Sequence, residues 1–142
     1  MNKHKLLIIL FSIILLVSVF SCKKKIERIE EKTRNEIEGT WKKTDVSNLS
    51  SETYEEWQIN NGVFYVTIRN TSSNQKDTIY NGEYIISGDY AFDIPITKKT
   101  FTITKCSYSY YEGNWTIHKL KFDYFSIYRQ KGGLEYFEFK KQ

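Results

Sequence analysis

The sequence predicts an all-β fold, an antiparallel sheet that is closed or folded on itself. From residue 39 onward β-branched and aromatic residues dominate, and these residue types favour pleated, half-buried strands. Turn residues recur there about every eight to twelve positions, which is typical of a chain of short antiparallel strands. Proline, which cannot donate to the ladder inside a sheet, occurs only at Pro95.

Alternation of apolar and polar residues predicts nine candidate strands. They span residues 40–48, 53–60, 63–69, 78–86, 90–95, 99–106, 114–120, 122–129 and 134–140. Asn60-Asn61-Gly62 is expected to join two of them, because these residues tolerate the positive φ of a tight hairpin turn. Further turns are predicted around Gly132-Gly133 and at Ser87-Gly88-Asp89. The alternation slips near Lys105, which predicts a bulge or the end of a strand.

One face of several strands is apolar and is expected to point into the core. These faces are Trp57 and Ile59; Phe64, Val66 and Ile68; Phe101 and Ile103; Phe125 and Ile127; Phe137 and Phe139. In the last two strands the opposite face is apolar as well. Tyr124 and Tyr128 lie on the face opposite Phe125 and Ile127, and Tyr136 lies on the face opposite Phe137. The sequence therefore does not decide which face of these two strands points into the core.

The N-terminal residues have the layout of an export signal. Lys3 and Lys5 precede an uncharged apolar run over residues 6–20, and a small residue, Ser21, precedes Cys22. This layout predicts a signal peptide that is cleaved after Ser21 and leaves Cys22 as the new N-terminus. The alternative is an uncleaved membrane helix, because the stretch from Leu6 to Cys22 just reaches the lower limit of a span, about 17 residues. That alternative gives the cysteine no role.

The stretch Val19-Phe20-Ser21-Cys22 resembles the lipobox of bacterial lipoproteins. The resemblance implies that the thiol of Cys22 is joined to a diacylglycerol and that its freed amine is acylated. Each buried CH₂ of such chains contributes about 0.8 kcal/mol, so we expect the protein to be held firmly to a membrane. Lys23, Lys24 and Lys25 follow, and each attracts anionic lipid by about 1 kcal/mol near the surface.

Residues 22–38 are expected to form a charged tether between the lipid anchor and the folded domain. Six basic and five acidic side chains lie between Lys23 and Glu38. The segment's apolar residues and Thr33 recur at roughly helical spacing. Two interpretations stay open, a flexible stalk and a short helix packed on the end of the domain. The expected organisation is a signal peptide over 1–21, the tether over 22–38 and one β domain over 39–142.

Three segments resemble the lipocalin-like domains of bacterial lipoproteins. Gly39-Thr40-Trp41 is similar to their Gly-x-Trp first strand, residues 81–89 to a middle hairpin, and residues 134–141 to their closing strand. The resemblance implies a small eight-stranded antiparallel up-and-down barrel, which leaves no sheet edge and holds at most a small ligand. It also implies that Trp41 plugs the closed end under an arginine from a late strand, for which Arg129 is the candidate.

Two classes of function are compatible with such a domain. In the first, the barrel binds a small hydrophobic ligand in a cavity lined by residues such as Trp57, Phe64, Val66, Phe101 and Ile103. In the second, a filled barrel is a non-enzymatic accessory subunit that contacts an envelope protein or glycan through a tyrosine-rich loop. The chain has 3 Trp, 11 Tyr and 9 Phe, enough to fill a small barrel, so the occupancy of the interior decides between the two classes.

The tyrosine-rich segment over residues 106–115 supplies the candidate rim of the barrel. Tyrosine offers a large contact area at a low cost in rotamer entropy, together with a hydroxyl group for hydrogen bonding. The candidate rim residues are Tyr108, Tyr110, Tyr111 and Trp115.

Other classes of function lack support in the sequence. A formal net charge of +4 is too small to favour nucleic acid as a partner. The chain has no G-x-S-x-G nucleophile motif and no Gly-rich phosphate loop, so neither an enzymatic activity nor a cofactor is expected. Cys106 is predicted to be a half-buried apolar residue, and no metal site is expected.

Because lysines rather than an acidic stretch follow Cys22, we expect an outer-membrane anchor facing the periplasm.

Overall fold

The computed structural model describes residues 11–12, 26–44, 52–73, 76–89 and 98–142. Cys22, the predicted signal peptide apart from residues 11 and 12, and the candidate strand over 90–95 lie outside these residues. Helix α1 spans residues 26–37. The strands are β1 (Gly39–Thr44), β2 (Thr53–Asn60), β3 (Val63–Asn70), β4 (Lys76–Asp89), β5 (Lys98–Thr104), β6 (Gly113–Lys121), β7 (Tyr124–Gln130) and β8 (Leu134–Lys141).

The eight strands form one closed antiparallel barrel. Each strand pairs with its neighbour in the sequence, and β8 returns to pair with β1. In this closing pair Trp41 lies opposite Lys141, and Thr44 lies opposite Glu138. Closure leaves no unpaired edge for another chain to extend. The prediction of an all-β, eight-stranded, up-and-down barrel is confirmed.

Two predicted hairpin turns are confirmed, and both use residues with positive φ. Asn61 and Gly62 join β2 to β3 with φ angles of 49° and 80°. Positive φ at both central positions is the type I′ arrangement, whose twist matches that of the flanking strands. Gly132, between β7 and β8, has a φ of 72°. The predicted strand end near Lys105 is also confirmed, since β5 ends at Thr104 and Lys105 has a φ of 52°.

The predicted turn at residues 87–89 is wrong. β4 continues through these residues to Asp89, and Ser87 and Gly88 lie opposite Thr100 and Lys99 of β5. The ladder with β5 satisfies the backbone groups of this stretch, so the turn-forming residue types do not break the strand.

The interior of the barrel contains the apolar faces that the alternation predicts. Phe125, Ile127 and Phe139 have no exposed surface, and Phe137 is 7% exposed, while Tyr136 is 41% exposed. These values settle which face of β7 and β8 points inward. The rings of Phe125 and Phe139 stack with centroids 4.2 Å apart. Ile68 is only half-buried, and the register of β3 against β4 shifts beside it.

Helix α1 packs against one end of the barrel. Thr33 and Ile37, one helical turn apart, are both buried. The Trp41 Nε1–H donates to the carbonyl oxygen of Ile37 at 2.7 Å. The carboxylate of Glu38 accepts from the backbone N–H of Asn61 at 3.0 Å, so the end of the helix is joined to the β2–β3 turn. The helical interpretation of the tether is therefore confirmed for residues 26–37. Within the described ranges no helix combines the length and apolarity needed to cross a membrane.

Candidate functional site

The five predicted interior residues lie inside the barrel and pack on one another. Trp57, Phe64, Val66, Phe101 and Ile103 are each at most 1% exposed. Trp57 lies at the centre, with its ring 5.5 Å from that of Phe64 and 5.0 Å from that of Phe139. These contacts span β2, β3 and β8, so the side chains of the wall meet in the middle of the barrel. Ring packing of this kind fills space that a ligand would need.

The β5–β6 connection, residues 105–112, covers the end of the barrel opposite α1; we call it the tyrosine loop. The backbone N–H of Ser107 donates to the carbonyl of Asn81 at 2.9 Å. In return the N–H of Asn81 donates to the Ser107 hydroxyl at 3.0 Å. This pair of hydrogen bonds joins the loop to β4. The N–H of Cys106 donates to the carboxylate of Glu112 at 2.8 Å, which joins the two ends of the loop.

Tyr111 turns inward and closes this end of the barrel. It is 3% exposed, and its ring meets the ring of Trp57 at 5.1 Å in an edge-to-face arrangement. Burial raises the pKa of the Tyr111 phenol, and the neighbouring carboxylate of Glu55 raises it further. Tyr111 is therefore a neutral plug rather than a rim residue, and the prediction that it lies on an exposed rim is wrong.

Trp115 is also interior rather than part of the rim. It has no exposed surface, since alternation along β6 points it inward onto the ring of Phe137 at 4.7 Å. Its Nε1–H donates to the carbonyl of Tyr111 at 2.8 Å. Trp115 thus supports the tyrosine loop from below.

Arg129 holds the tyrosine loop from inside the barrel mouth. Its guanidinium donates to the carbonyls of Glu112 at 2.8 Å and of Tyr110 at 2.5 Å. It also pairs with the carboxylate of Glu135, and its Cζ lies 4.0 Å from the ring centroid of Trp115. An arginine is suited to this position because its fork of donors can bind several acceptors while its face stacks on an aromatic ring.

The expected contact of Arg129 with Trp41 is therefore wrong. Arg129 lies opposite Glu135, whereas Trp41 lies opposite Lys141, six residues further along β8. A strand rises about 3.3 Å per residue, so the two positions are about 20 Å apart. The cation over Trp41 is Lys141, whose Nζ lies 5.0 Å from the ring centroid.

Tyr108 and Tyr110 remain at the surface, as the rim prediction requires. They are 43% and 39% exposed, and their ring centroids are 5.8 Å apart. Half-buried Tyr80 of β4 stacks on Tyr108 at 4.8 Å. We call these three residues the tyrosine platform. Because the loop beneath it is fixed by hydrogen bonds, the platform is ordered before any partner arrives, which lowers the entropic cost of binding.

An ion pair that the sequence did not predict lies at the barrel mouth. The Nζ of Lys43 lies 2.8 Å from the carboxylate of Glu55 and 4.0 Å from the ring centroid of Phe137. The same carboxylate accepts from the Trp57 Nε1–H at 3.0 Å. The signal that could have found Glu55 is alternation, since it shares a strand face with Trp57 and Ile59.

Cys106 and His118 lie on different parts of the barrel. Cys106 is free and half-buried, as predicted, and burial raises the pKa of its thiol. His118 is exposed and faces the rings of Tyr128 and Tyr136 on the outside of the barrel. Across the described ranges no group of three or more His, Cys, Asp or Glu residues is placed to hold a metal ion. Cys22, the predicted lipidation site, lies outside those ranges.

Comparisons of the chain with protein-family models, with curated proteins and with solved structures find no match.

Proposed function

We propose that this protein is a lipid-anchored lipoprotein of the cell envelope whose lipocalin-like barrel is a non-enzymatic interaction module. The anchor is acylated Cys22, in the outer membrane and facing the periplasm. The barrel contacts another envelope protein through the tyrosine platform.

The single observation that carries this proposal is the packing of the barrel. Trp57 occupies the centre, Tyr111 closes the mouth over it, and the two rings are in contact. A ligand inside the barrel would have to displace buried aromatic rings, each of which contributes about 1.5–3 kcal/mol through burial. This packing counts against a small interior ligand and favours the outer surface as the site of binding.

The chemistry of the tyrosine platform favours a protein as the partner. Exposed tyrosines beside serines and glycines are the composition of protein-binding loops, because the ring provides area and the small residues adapt. Tyr108 and Tyr110 lie beside Ser107 and Ser109 in this loop. The backing by Arg129 fixes the loop backbone through two carbonyls. A fixed aromatic surface of this kind is typical of interface hot spots.

The proposed partner is tested by photo-crosslinking in native envelopes. A photoreactive amino acid replaces Tyr110 in one variant and Tyr65 in a matched control, since Tyr65 is 44% exposed on the barrel wall. We expect a specific adduct from position 110 that is absent from position 65 and is lost in a Tyr108→Ser background. The same adducts from both positions, or none from position 110, would refute the proposed surface. An adduct that glycosidase removes and protease spares would identify a glycan instead.

The proposed anchor is tested by intact-mass analysis of the natively expressed protein. The expected product begins at Cys22 and carries the mass of a diacylglycerol and an amide-linked acyl chain. A product that still contains residues 1–21 with an unmodified Cys22 would refute the anchor, whatever the crosslinking shows.

A further inference from the structure

The β6–β7 turn presents an apolar side chain to solvent. Phe122 is 87% exposed, the highest value among the large hydrophobic residues in the part of the chain that the structure describes. The turn itself is well held, because the backbone N–H of Lys141 donates to the carbonyl of Asp123 at 2.9 Å. A single exposed aromatic ring is common on protein surfaces, so the residues around Phe122 decide what it indicates.

Lysines surround this ring. Lys119, Lys121 and Lys140 are exposed on the ends of β6 and β8, and the Lys141 Nζ lies 5.4 Å from the Phe122 ring centroid. Asp123 is the one acidic residue of the turn. Helix α1 adds three basic and four acidic side chains and Glu38 adds one more carboxylate, so among these residues a small excess of positive charge remains. The combination of an exposed aromatic ring with a lysine cluster is complementary to an anionic surface with an apolar interior.

Helix α1 lies beside the same ring along most of its length. A groove of about 550 Å³ between the helix and the β6–β7 turn is lined by Arg28, Glu31 and Lys32 on one side and by Lys121 and Phe122 on the other. Cys22 precedes Arg28 by six residues. A fully extended chain spans at most about 3.5 Å per residue, so the anchor lies within about 20 Å of this groove.

We infer that this end of the barrel docks on the surface of a bilayer rich in anionic phospholipid, with Phe122 inserted at the boundary between the headgroups and the acyl chains. The inference rests on the proposed anchor at Cys22, which brings the surface within reach. Lys119, Lys121 and Lys140 pair with lipid phosphates around the inserted ring. The tyrosine platform lies at the opposite end of the barrel and therefore faces away from the membrane, where a partner protein can reach it.

Tryptophan fluorescence tests this docking in the full acylated protein. Trp41, Trp57 and Trp115 have no exposed surface, so they form a protected background. Phe122→Trp introduces an indole at the proposed contact. Leu134→Trp is the matched control, since Leu134 is 70% exposed beside the β7–β8 turn at the other end. Each variant is reconstituted into phosphatidylglycerol vesicles whose acyl chains are brominated, and into unbrominated vesicles as the reference.

The expected result is a loss of emission and a blue shift for Phe122→Trp in brominated vesicles, with no loss for Leu134→Trp. Iodide added to the buffer should quench the indole at position 134 more than the indole at position 122. Equal quenching of both variants by the brominated lipid, or of neither, would overturn the inference. A Phe122→Trp indole shielded from both quenchers would also overturn it and would indicate a second copy or another protein at this patch. Equal quenching in zwitterionic phosphatidylcholine vesicles would overturn the assignment to anionic headgroups.

The result is separable from the test of the anchor. If mass analysis shows acylated Cys22 but the indole at position 122 is not quenched by lipid, the anchor stands and the docking fails. If Cys22 is unmodified, the anchor fails on the mass alone, and the same comparison of Phe122→Trp with Leu134→Trp, made on the unacylated protein, decides whether the β6–β7 turn docks by itself.

Discussion

Replacing Arg129 by methionine should release the tyrosine loop from the barrel mouth. Methionine keeps an unbranched apolar stem of similar length, so the substitution removes the guanidinium with little change in packing. The side chain of Arg129 is 5% exposed, and it donates to the carbonyls of Glu112 and Tyr110. It is also the partner of Glu135.

The expected loss is about 3 kcal/mol in the free energy of unfolding. Removing one partner of a buried ion pair costs about 3–5 kcal/mol, because the other charge stays behind unpaired. Glu135 is 24% exposed and regains some hydration, which places the effect at the low end of that range. The two loop carbonyls can turn toward water once the loop opens, so they add little. A loss of this size is large against the typical 5–15 kcal/mol of a whole domain.

Urea unfolding followed by intrinsic tryptophan fluorescence measures this loss. Lys105→Met is the matched control, since Lys105 pairs with Glu83 but the two side chains are 74% and 52% exposed. Such surface pairs contribute about 0–1 kcal/mol. Native-state hydrogen exchange should also show faster exchange of the Ser107 and Tyr111 amides in Arg129→Met alone. A loss no larger than that of the control, with unchanged exchange of both amides, would refute the role of Arg129 in holding the loop.

Three further predictions concern the packing beneath the loop. Gly82→Ala should destabilise the barrel by about 1–3 kcal/mol in urea unfolding, because the added Cβ would lie 2.5 Å from the ring of Phe64. The control is Gly133→Ala, which should leave the free energy of unfolding nearly unchanged because the space around Gly133 is open. Tyr111→Ala should cost about 3–5 kcal/mol because it removes a buried ring. Tyr108→Ala, at the surface but stacked on Tyr80, should cost only about 0.5–1.5 kcal/mol; equal losses in both would contradict the division into a buried plug and an exposed platform. Folding raises the pKa of the Tyr111 phenol above its ordinary value of 10.0, so the folded state binds the phenol proton more tightly than the unfolded state does. The stability that this proton contributes is therefore complete below pH 10.0 and declines as the pH rises further. Tyr111→Phe should flatten that decline in unfolding curves measured across alkaline pH, and an unaltered decline would contradict the assignment to Tyr111.

Local signals account for the parts of the fold that were predicted correctly. The Asn61-Gly62 turn follows from the ability of these two residues to adopt positive φ. The inward faces follow from a period of two, which is a property of each strand by itself. The nine candidate strands included residues 90–95, which lie outside the described residues, and the barrel closes with the other eight.

Apart from Trp115, whose inward position follows from alternation along β6, the errors share a cause, which is contact between residues far apart in the chain. Ser87-Gly88 has the composition of a turn, but pairing with β5 keeps it extended. Tyr110 and Tyr111 are neighbours with the same side chain, yet one is 39% exposed and the other 3%. Their difference is set by the path of the loop, which depends on hydrogen bonds to Arg129 and Asn81.

The sequence by itself determined that the chain forms a small antiparallel β domain whose strands carry apolar faces, because alternation and turn chemistry act between near neighbours; that these faces fill the interior is shown by the tertiary structure. It also supplies the prediction of an acylated Cys22, which depends on a few adjacent residues. Only the tertiary structure decided that Arg129 lies over Trp115 rather than Trp41, and that the tyrosine loop divides into a buried plug and an exposed platform. These outcomes depend on the register in which the barrel closes, and register is a property of strand pairs rather than of any one segment.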